Sequence, residues 1–313
     1  MKAWVLLASL WPALALAAPE GQRTVVVGTH VNQVYGIDIK NNQFTVDFYV
    51  WFRWEGDDFK PIESFEVAGG RIISKTGIER KKLGALDYTS ARVVETINTF
   101  WDLRRFPLDS HTLEIELEDA EHDERTLVYQ RDGDNIGISP DLQLPGFVVR
   151  STNSEARTHV YHTNYGDTSM PSNNESRYSR YHFTIDIERP GFGRFWKVFF
   201  GLFISVLVSW CAFWVRPKES SPRVSLGVGA TFAASAVTVT INNSLPDTNA
   251  VTLADKFIML TLGFIVASVV VTILALTLHA QNQEALQQHV DRVCRWLFPV
   301  TYGVLLWLTV STA

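Results

Sequence analysis

Cysteine is nearly absent. The 313 residues contain two, Cys211 and Cys294, both among apolar neighbours in the last third of the chain. Two thiols so placed exclude a disulfide framework and a zinc ligand set, and are expected to pack as small buried hydrophobes. An excess of basic charge is absent as well. Lys and Arg number 28 against 33 Asp and Glu, a net charge of −5, so nothing in the composition asks for nucleic acid. The nucleophile elbow, HExxH, P-loop and dinucleotide fingerprints are missing. The chain therefore offers no enzyme chemistry, and no cofactor is implied. Between residues 18 and 190 there are few long apolar runs and no helical period of useful length. Aromatic residues are plentiful instead, with ten Trp and nineteen Phe, which suits a β core and membrane interfaces alike.

The opening "MKAWVLLASLWPALALAA" has one early charge, Lys2, an apolar run from Val5 to Leu16, and an A-x-A cleavage pattern at Ala15-Leu16-Ala17. Residues 1–17 are expected to be a secretory signal peptide, so that residues 18–190 are exported. These carry strand signals. In "FTVDFYVWFRW", Phe48, Val50, Phe52 and Trp54 alternate with Tyr49, Trp51 and Arg53. In "SHTLEIELED", Leu113, Ile115 and Leu117 alternate with glutamates. Turn clusters such as "KNNQ" and "RDGD" separate the strands. Together they predict an all-β, antiparallel, immunoglobulin-like sandwich.

At Arg189-Pro190 the composition changes. Four apolar segments follow within 191–313, giving helices at about 191–215, 222–243, 250–278 and 292–312. Roughly 20 residues cross a hydrocarbon core, so an all-α four-helix transmembrane domain is expected. Arg216, Lys218 and Arg223 in the first connection, and Arg292 and Arg295 in the stretch 278–295 read as a loop, place those connections inside. The sandwich and the C-terminus then lie outside a cell membrane crossed several times, the inner membrane if the cell is Gram-negative.

The second segment, "PRVSLGVGATFAASAVTVTINNSLPDT", is rich in Ser, Thr, Gly, Ala and Asn, where lipid would favour Leu and Phe. On a helix, Ser225, Gly229, Phe232, Ala236, Thr240 and Asn243 form one stripe. Several copies around an axis could line a pore with it, Phe232 forming a dewetting constriction. Small residues also let neighbouring helices pack closely, and the pattern alone does not choose between the two.

Particular residues extend the comparison. "TFWDLRRFPLDSHTL" carries Phe106-Pro107-Leu108-Asp109, Arg189 precedes the first apolar helix, "SWCAFW" ends it, Asn243-Ser244-Leu245-Pro246 follows the second, and "RWLFP" opens the fourth. In this order they resemble the pentameric ligand-gated ion channels, the Cys-loop receptor superfamily. Thr99 and Leu113 stand where animal receptors have the loop cysteines, so the bacterial type without that disulfide is the match. The resemblance implies a homopentamer around a central pore lined by the polar stripe, with Glu219 at its inner mouth. It implies an agonist site between subunits, under a hairpin at about 160–178. Tyr161 and Tyr178 match its aromatic positions, and Tyr49 the facing strand of the neighbour. The adjoining loop "ELEDAEHDER" is acidic, with Glu118, Asp119 and Glu121. A cationic amine, a divalent cation on Glu118, Asp119, Glu121 and His122, and protons acting through His30, His111 or His122 all remain open as ligands. Asp38, Phe106, Pro107, Asp109, Arg189, Leu245 and Pro246 are implied to couple binding to the pore. Selectivity leans to monovalent cations through Glu219; an anion channel, suggested by Pro222-Arg223, and a non-conducting exported receptor are the alternatives. The remaining partners are the lipid bilayer and the permeant inorganic ions.

Overall fold

A computed structural model describes residues 21–56, 59–166, 175–216, 218–246 and 250–312. The expected signal peptide at 1–17 lies outside the described residues, as do parts of the 160–178 hairpin and of the 243–248 loop.

Alternation along the chain builds the first half. On β2 (Gln43–Glu55) the side chains of Phe44, Val46, Phe48, Val50 and Phe52 are all fully buried while their neighbours face out. A one-residue slip would turn all five to water, and each contributes about 1.5–3 kcal/mol by burial. β2 pairs with β1 (Arg23–Asp38) and with β5 (Leu86–Asn98), which pairs with β4 (Gly70–Leu83). β7 (Leu127–Arg131) and β8 (Gly137–Ile138) join the other side of β1. The second sheet has the order β3-β6-β10-β9, from β3 (Phe65–Val67), β6 (Ser110–Asp119), β9 (Val148–Tyr161) and β10 (Ser176–Glu188). A single turn of helix, α1 (Pro61–Ser64), precedes β3. The two sheets meet through Leu113, Ile115, Leu117, Tyr181, Phe183 and Ile185, and the Tyr181 hydroxyl bonds Thr29 Oγ1 across the sandwich at 3.0 Å.

The sandwich is not wholly antiparallel. β1 runs parallel to both β7 and β8. β7 enters its sheet from β6 of the other sheet, so a crossover rather than a hairpin sets its direction.

Four helices follow, each long and apolar enough to cross a membrane: α2 (Gly193–Cys211, extended by a 3-10 turn to Trp214), α3 (Ser220–Asn243), α4 (Leu253–Ala280) and α5 (Glu284–Ser311). The chain is a multi-pass membrane protein. A capping box starts α4: Thr252 Oγ1 accepts from the Asp255 amide at 3.1 Å, and the Asp255 carboxylate accepts from the Thr252 amide at 2.9 Å. α5 begins well before its apolar run, and the stretch 278–295 is mostly helix rather than loop. Its residues Glu284, Ala285, Leu286, Gln287 and Gln288 favour helix, and Gln287 and Asp291, one turn apart, face inward together. The cysteines also depart from expectation: Cys211 is exposed and Cys294 half-buried, Cys294 packing only against the edge of the core.

Gly201 on α2 is a close-approach residue. A Cβ there would lie 2.6 Å from Val237 Cγ2 on α3, so glycine permits the two helices to touch. The Gly201 carbonyl meanwhile accepts from Ser205 Oγ at 2.8 Å.

Candidate functional site

The β9–β10 hairpin gathers three tyrosines. The ring of Tyr161 lies edge-on to Tyr178 at 5.8 Å and to Tyr165 at 5.7 Å. Register explains the nearness of Arg180 to this group, since it stands opposite Glu118 on β6. Its Nη2 donates to the Tyr161 hydroxyl at 2.7 Å, its Nε to Glu118 Oε2 at 2.9 Å and its Nη1 to Glu116 Oε2 at 2.7 Å. The Tyr161 hydroxyl donates to Glu118 Oε1 at 3.1 Å. Burial, with the Glu118 charge beside it, pushes the Tyr161 phenol up to about 12. Tyr49 stands exposed on β2, in the other sheet.

The acidic loop is less open than its sequence suggests. Glu118 and Asp119 are both buried. Asp119 Oδ2 accepts from Ser64 Oγ at 2.5 Å; Oδ1 accepts from the amides of Glu121 and His122 at 3.0 and 2.8 Å and lies 2.8 Å from His122 Nδ1. That carboxylate braces the loop from inside, and His122 packs its ring on Phe59 at 4.3 Å. Glu121 alone of the three acids faces solvent.

At the membrane end, Asp109 and Arg189 meet. Arg189 Nε donates to Asp109 Oδ1 at 2.7 Å, and His111 Nε2 lies 2.5 Å from Asp109 Oδ2. The Arg189 guanidinium lies 4.2 Å from the Phe147 ring centre and 5.6 Å from that of Phe106. All five residues are buried. Burial alone would raise the Asp109 carboxyl; the hydrogen bonds from His111 and Arg189 outweigh it and hold Asp109 below the ordinary carboxylate range. The Phe106–Pro107 peptide is cis. Asp38, held low by its hydrogen bonds to Asn41, accepts at its carbonyl from Trp101 Nε1 at 3.3 Å. The Leu253 amide donates to the Arg104 carbonyl at 2.8 Å, tying the start of α4 to the loop before β6. Leu245 is buried in the core that runs on from sandwich to helices, and Pro246 is half-buried.

On α3, Arg223, Gly227, Ala230, Ala234 and Ile241 are buried against the other helices. Ser225, Gly229, Phe232, Ala236, Thr240 and Asn243 are all exposed in the single chain, with Phe232 73% exposed. Thr240 Oγ1 donates to the Ala236 carbonyl at 3.1 Å, which leaves its lone pairs directed outward. Glu219, just ahead of α3, is exposed too. Arg223 is turned away from this face. It is wholly buried and grips Asp291 of α5 with two nitrogens, one of them at 3.0 Å, while Gln287 donates to the same carboxylate.

Residues 202–289 match the family model described as the neurotransmitter-gated ion-channel transmembrane region. The rho-2 subunit of the gamma-aminobutyric acid receptor of Rattus norvegicus is 26% identical over 219 residues, covering 69% of this chain and 43% of that subunit. The proton-gated ion channel of Gloeobacter violaceus is 24% identical over 303 residues, covering 89% of this chain and 80% of that channel. The match thus spans less than half the length of the rho-2 relative. The β-sandwich followed by four apolar helices is the architecture of the same family.

The chain is similar to the pentameric ligand-gated ion channels, the Cys-loop receptor superfamily.

Of Thr99 and Leu113, matched by resemblance to the loop cysteines, Leu113 is fully buried in the sandwich core. Within the stretch 99–113, Trp101 donates to the Asp38 carbonyl and lies edge-on to His111 at 5.0 Å. Sequence reasoning missed three residues of these sites. Arg180 and Asp291 are defined by partners 62 and 68 positions away, and nothing local marks them. Glu95 was visible: an acid on the apolar face of β5, where Ala91, Val93 and Ile97 point inward. It is fully buried with neither carboxylate oxygen hydrogen-bonded, and burial pushes it up to about 8.

Proposed function

We propose that this protein is a ligand-gated ion channel: a homopentamer in which an agonist bound between β-sandwich domains opens a pore lined by α3. The observation that carries this is the uncovered face of α3. All six residues of the polar stripe are left exposed by the chain's own helices, and a hydroxyl-bearing face is costly against lipid. Five copies around an axis would give that face to water, with the Phe232 ring as the constriction.

The pore carries monovalent cations. Arg223, whose place beside Pro222 resembles the anion-selective branch, is buried and neutralised by Asp291. Glu219 is left as the exposed acid at that mouth. The sandwich and C-terminus lie outside the cell membrane, with Arg216, Lys218, Arg292 and Arg295 inside.

The agonist is a small cationic amine. Tyr161 and Tyr178 offer ring faces, Tyr49 of the partner subunit closes the site, and Glu118 sits beneath, shared with Arg180. Glu121 adds charge at the rim, while Asp119 holds the loop in shape. Strain then passes along β10 to Arg189 and Asp109, and through Phe106, Pro107, Asp38, Leu245 and Pro246 to α3. Protons as the ligand are a second reading, favoured by Glu95, whose proton is held until about pH 8.

Purified protein in liposomes with asymmetric NaCl tests the function. A screen of primary amines and of pH is expected to find current reversing near the sodium potential. Current reversing near the chloride potential would make it an anion channel; silence from assembled protein would leave a receptor without a pore.

A further inference from the structure

The outer face of the β3-β6-β10-β9 sheet holds a second cluster, next to the tyrosine group and joined to it through Arg180. His182 on β10 stands directly opposite Glu116 on β6 and Glu155 on β9. Its Nε2 lies 3.6 Å from Glu114 Oε2 and 3.8 Å from Glu116 Oε1, and its Nδ1 lies 3.7 Å from Glu155 Oε1. One ligand atom each from Glu114, Glu116 and His182 falls within 4.8 Å of the other two.

We propose that Glu114, Glu116 and His182 form a binding site for a divalent transition-metal ion of the zinc class. Three acids and a histidine gathered on a sheet face would not by themselves carry this. The state of the imidazole does: the His182 side chain is only 9% exposed, and its Nε2 is buried, without a hydrogen-bond partner, and aimed between the two carboxylates. An unpartnered buried ring nitrogen is costly, and a metal bond would satisfy it. The spacing fits as well. Ligands about 2.0–2.1 Å from a tetrahedral ion are separated by about 3.3 Å, so the gaps of 3.6 and 3.8 Å from His182 Nε2 to the two carboxylates need to close by about half an ångström or less, while all three ligand atoms lie within 4.8 Å of one another. Glu155 faces Nδ1 and would hold its proton, leaving the Nε2 lone pair for the ion. Arg157 Nη2 on Glu116 Oε1 at 2.9 Å and Arg180 Nη1 on Oε2 at 2.7 Å orient the Glu116 carboxylate; each oxygen keeps a second lone pair. Three protein ligands leave one position for water. A nitrogen ligand selects the zinc class over magnesium and calcium, which prefer oxygen shells.

Full-length protein in detergent, stripped with a chelator, is titrated with ZnCl2 by calorimetry and by thermal unfolding. One saturable site per chain is expected, with unfolding temperature raised by zinc and no displacement by magnesium or calcium. Glu114 is exposed, so Glu114→Gln leaves the fold intact and is expected to weaken binding by about 10- to 100-fold; His182→Ala is expected to abolish it. Glu121→Gln, near His122, is expected to leave affinity unchanged. Absence of saturable zinc binding, or affinity unaltered in Glu114→Gln, overturns the proposal.

Discussion

At position 95 a carboxyl group sits where the strand pattern places a hydrophobe. Gly70 makes the room, since a Cβ there would fall 1.7 Å from Glu95 Oε1. Burial raises Glu95 from its ordinary value of 4.5 to about 8, and the sign of the consequence is fixed. Between these values the unfolded chain releases the proton and the folded chain keeps it, so stability is full below about pH 4.5 and falls as pH rises toward 8. Glu95→Gln is expected to flatten the fall in unfolding temperature between pH 5 and 8; a profile parallel to the wild type would contradict the assignment. The Asp109–Arg189 pair makes a different prediction. Asp109→Asn leaves a buried guanidinium without its counter-charge, at a cost of about 3–5 kcal/mol. Thermal unfolding in detergent is expected to show a clear loss, whereas Arg104→Ala, at an exposed ion pair with Asp102, is expected to leave the unfolding temperature nearly unchanged.

Helix and strand identities were legible because burial and periodicity coincide: β2 buries every second residue, and α4 is apolar all round. Partners across the chain were not legible. Nothing in "EALQQHVDRV" announces that Asp291 receives Arg223, and reading that stretch as linker removed the partner that buries the arginine between helices. At the β9–β10 hairpin the acids were misleading. Counting charges suggested an open acidic loop, while the fold turns Asp119 inward to four hydrogen-bonding groups and pairs Glu118 with Arg180. Gly201 is testable at the scale of helix against helix. Gly201→Ala sets a methyl 2.6 Å from Val237 Cγ2 and is expected to cost about 1–3 kcal/mol by overpacking. Adding Val237→Ala makes room for the methyl and is expected to recover part of that loss in thermal unfolding; equal stability of Gly201→Ala and wild type would mean that the helices do not meet closely there.

The α3 face exposes hydroxyls and Phe232 together, which bulk lipid accommodates poorly, and the proposed ring of copies would give that face an aqueous side. Cysteine accessibility tests this most directly. In a Cys211→Ser, Cys294→Ser background, cysteines are placed one at a time at Ser225, Gly229, Phe232, Ala236, Thr240 and Asn243, and at buried Gly227, Ala230 and Ala234. Agonist- or pH-evoked current is then recorded while a charged thiol reagent is applied. Modification is expected to alter current at the first six positions and not at the last three. Block confined to the buried positions, or indifferent to position, would contradict a pore lined by this face of α3.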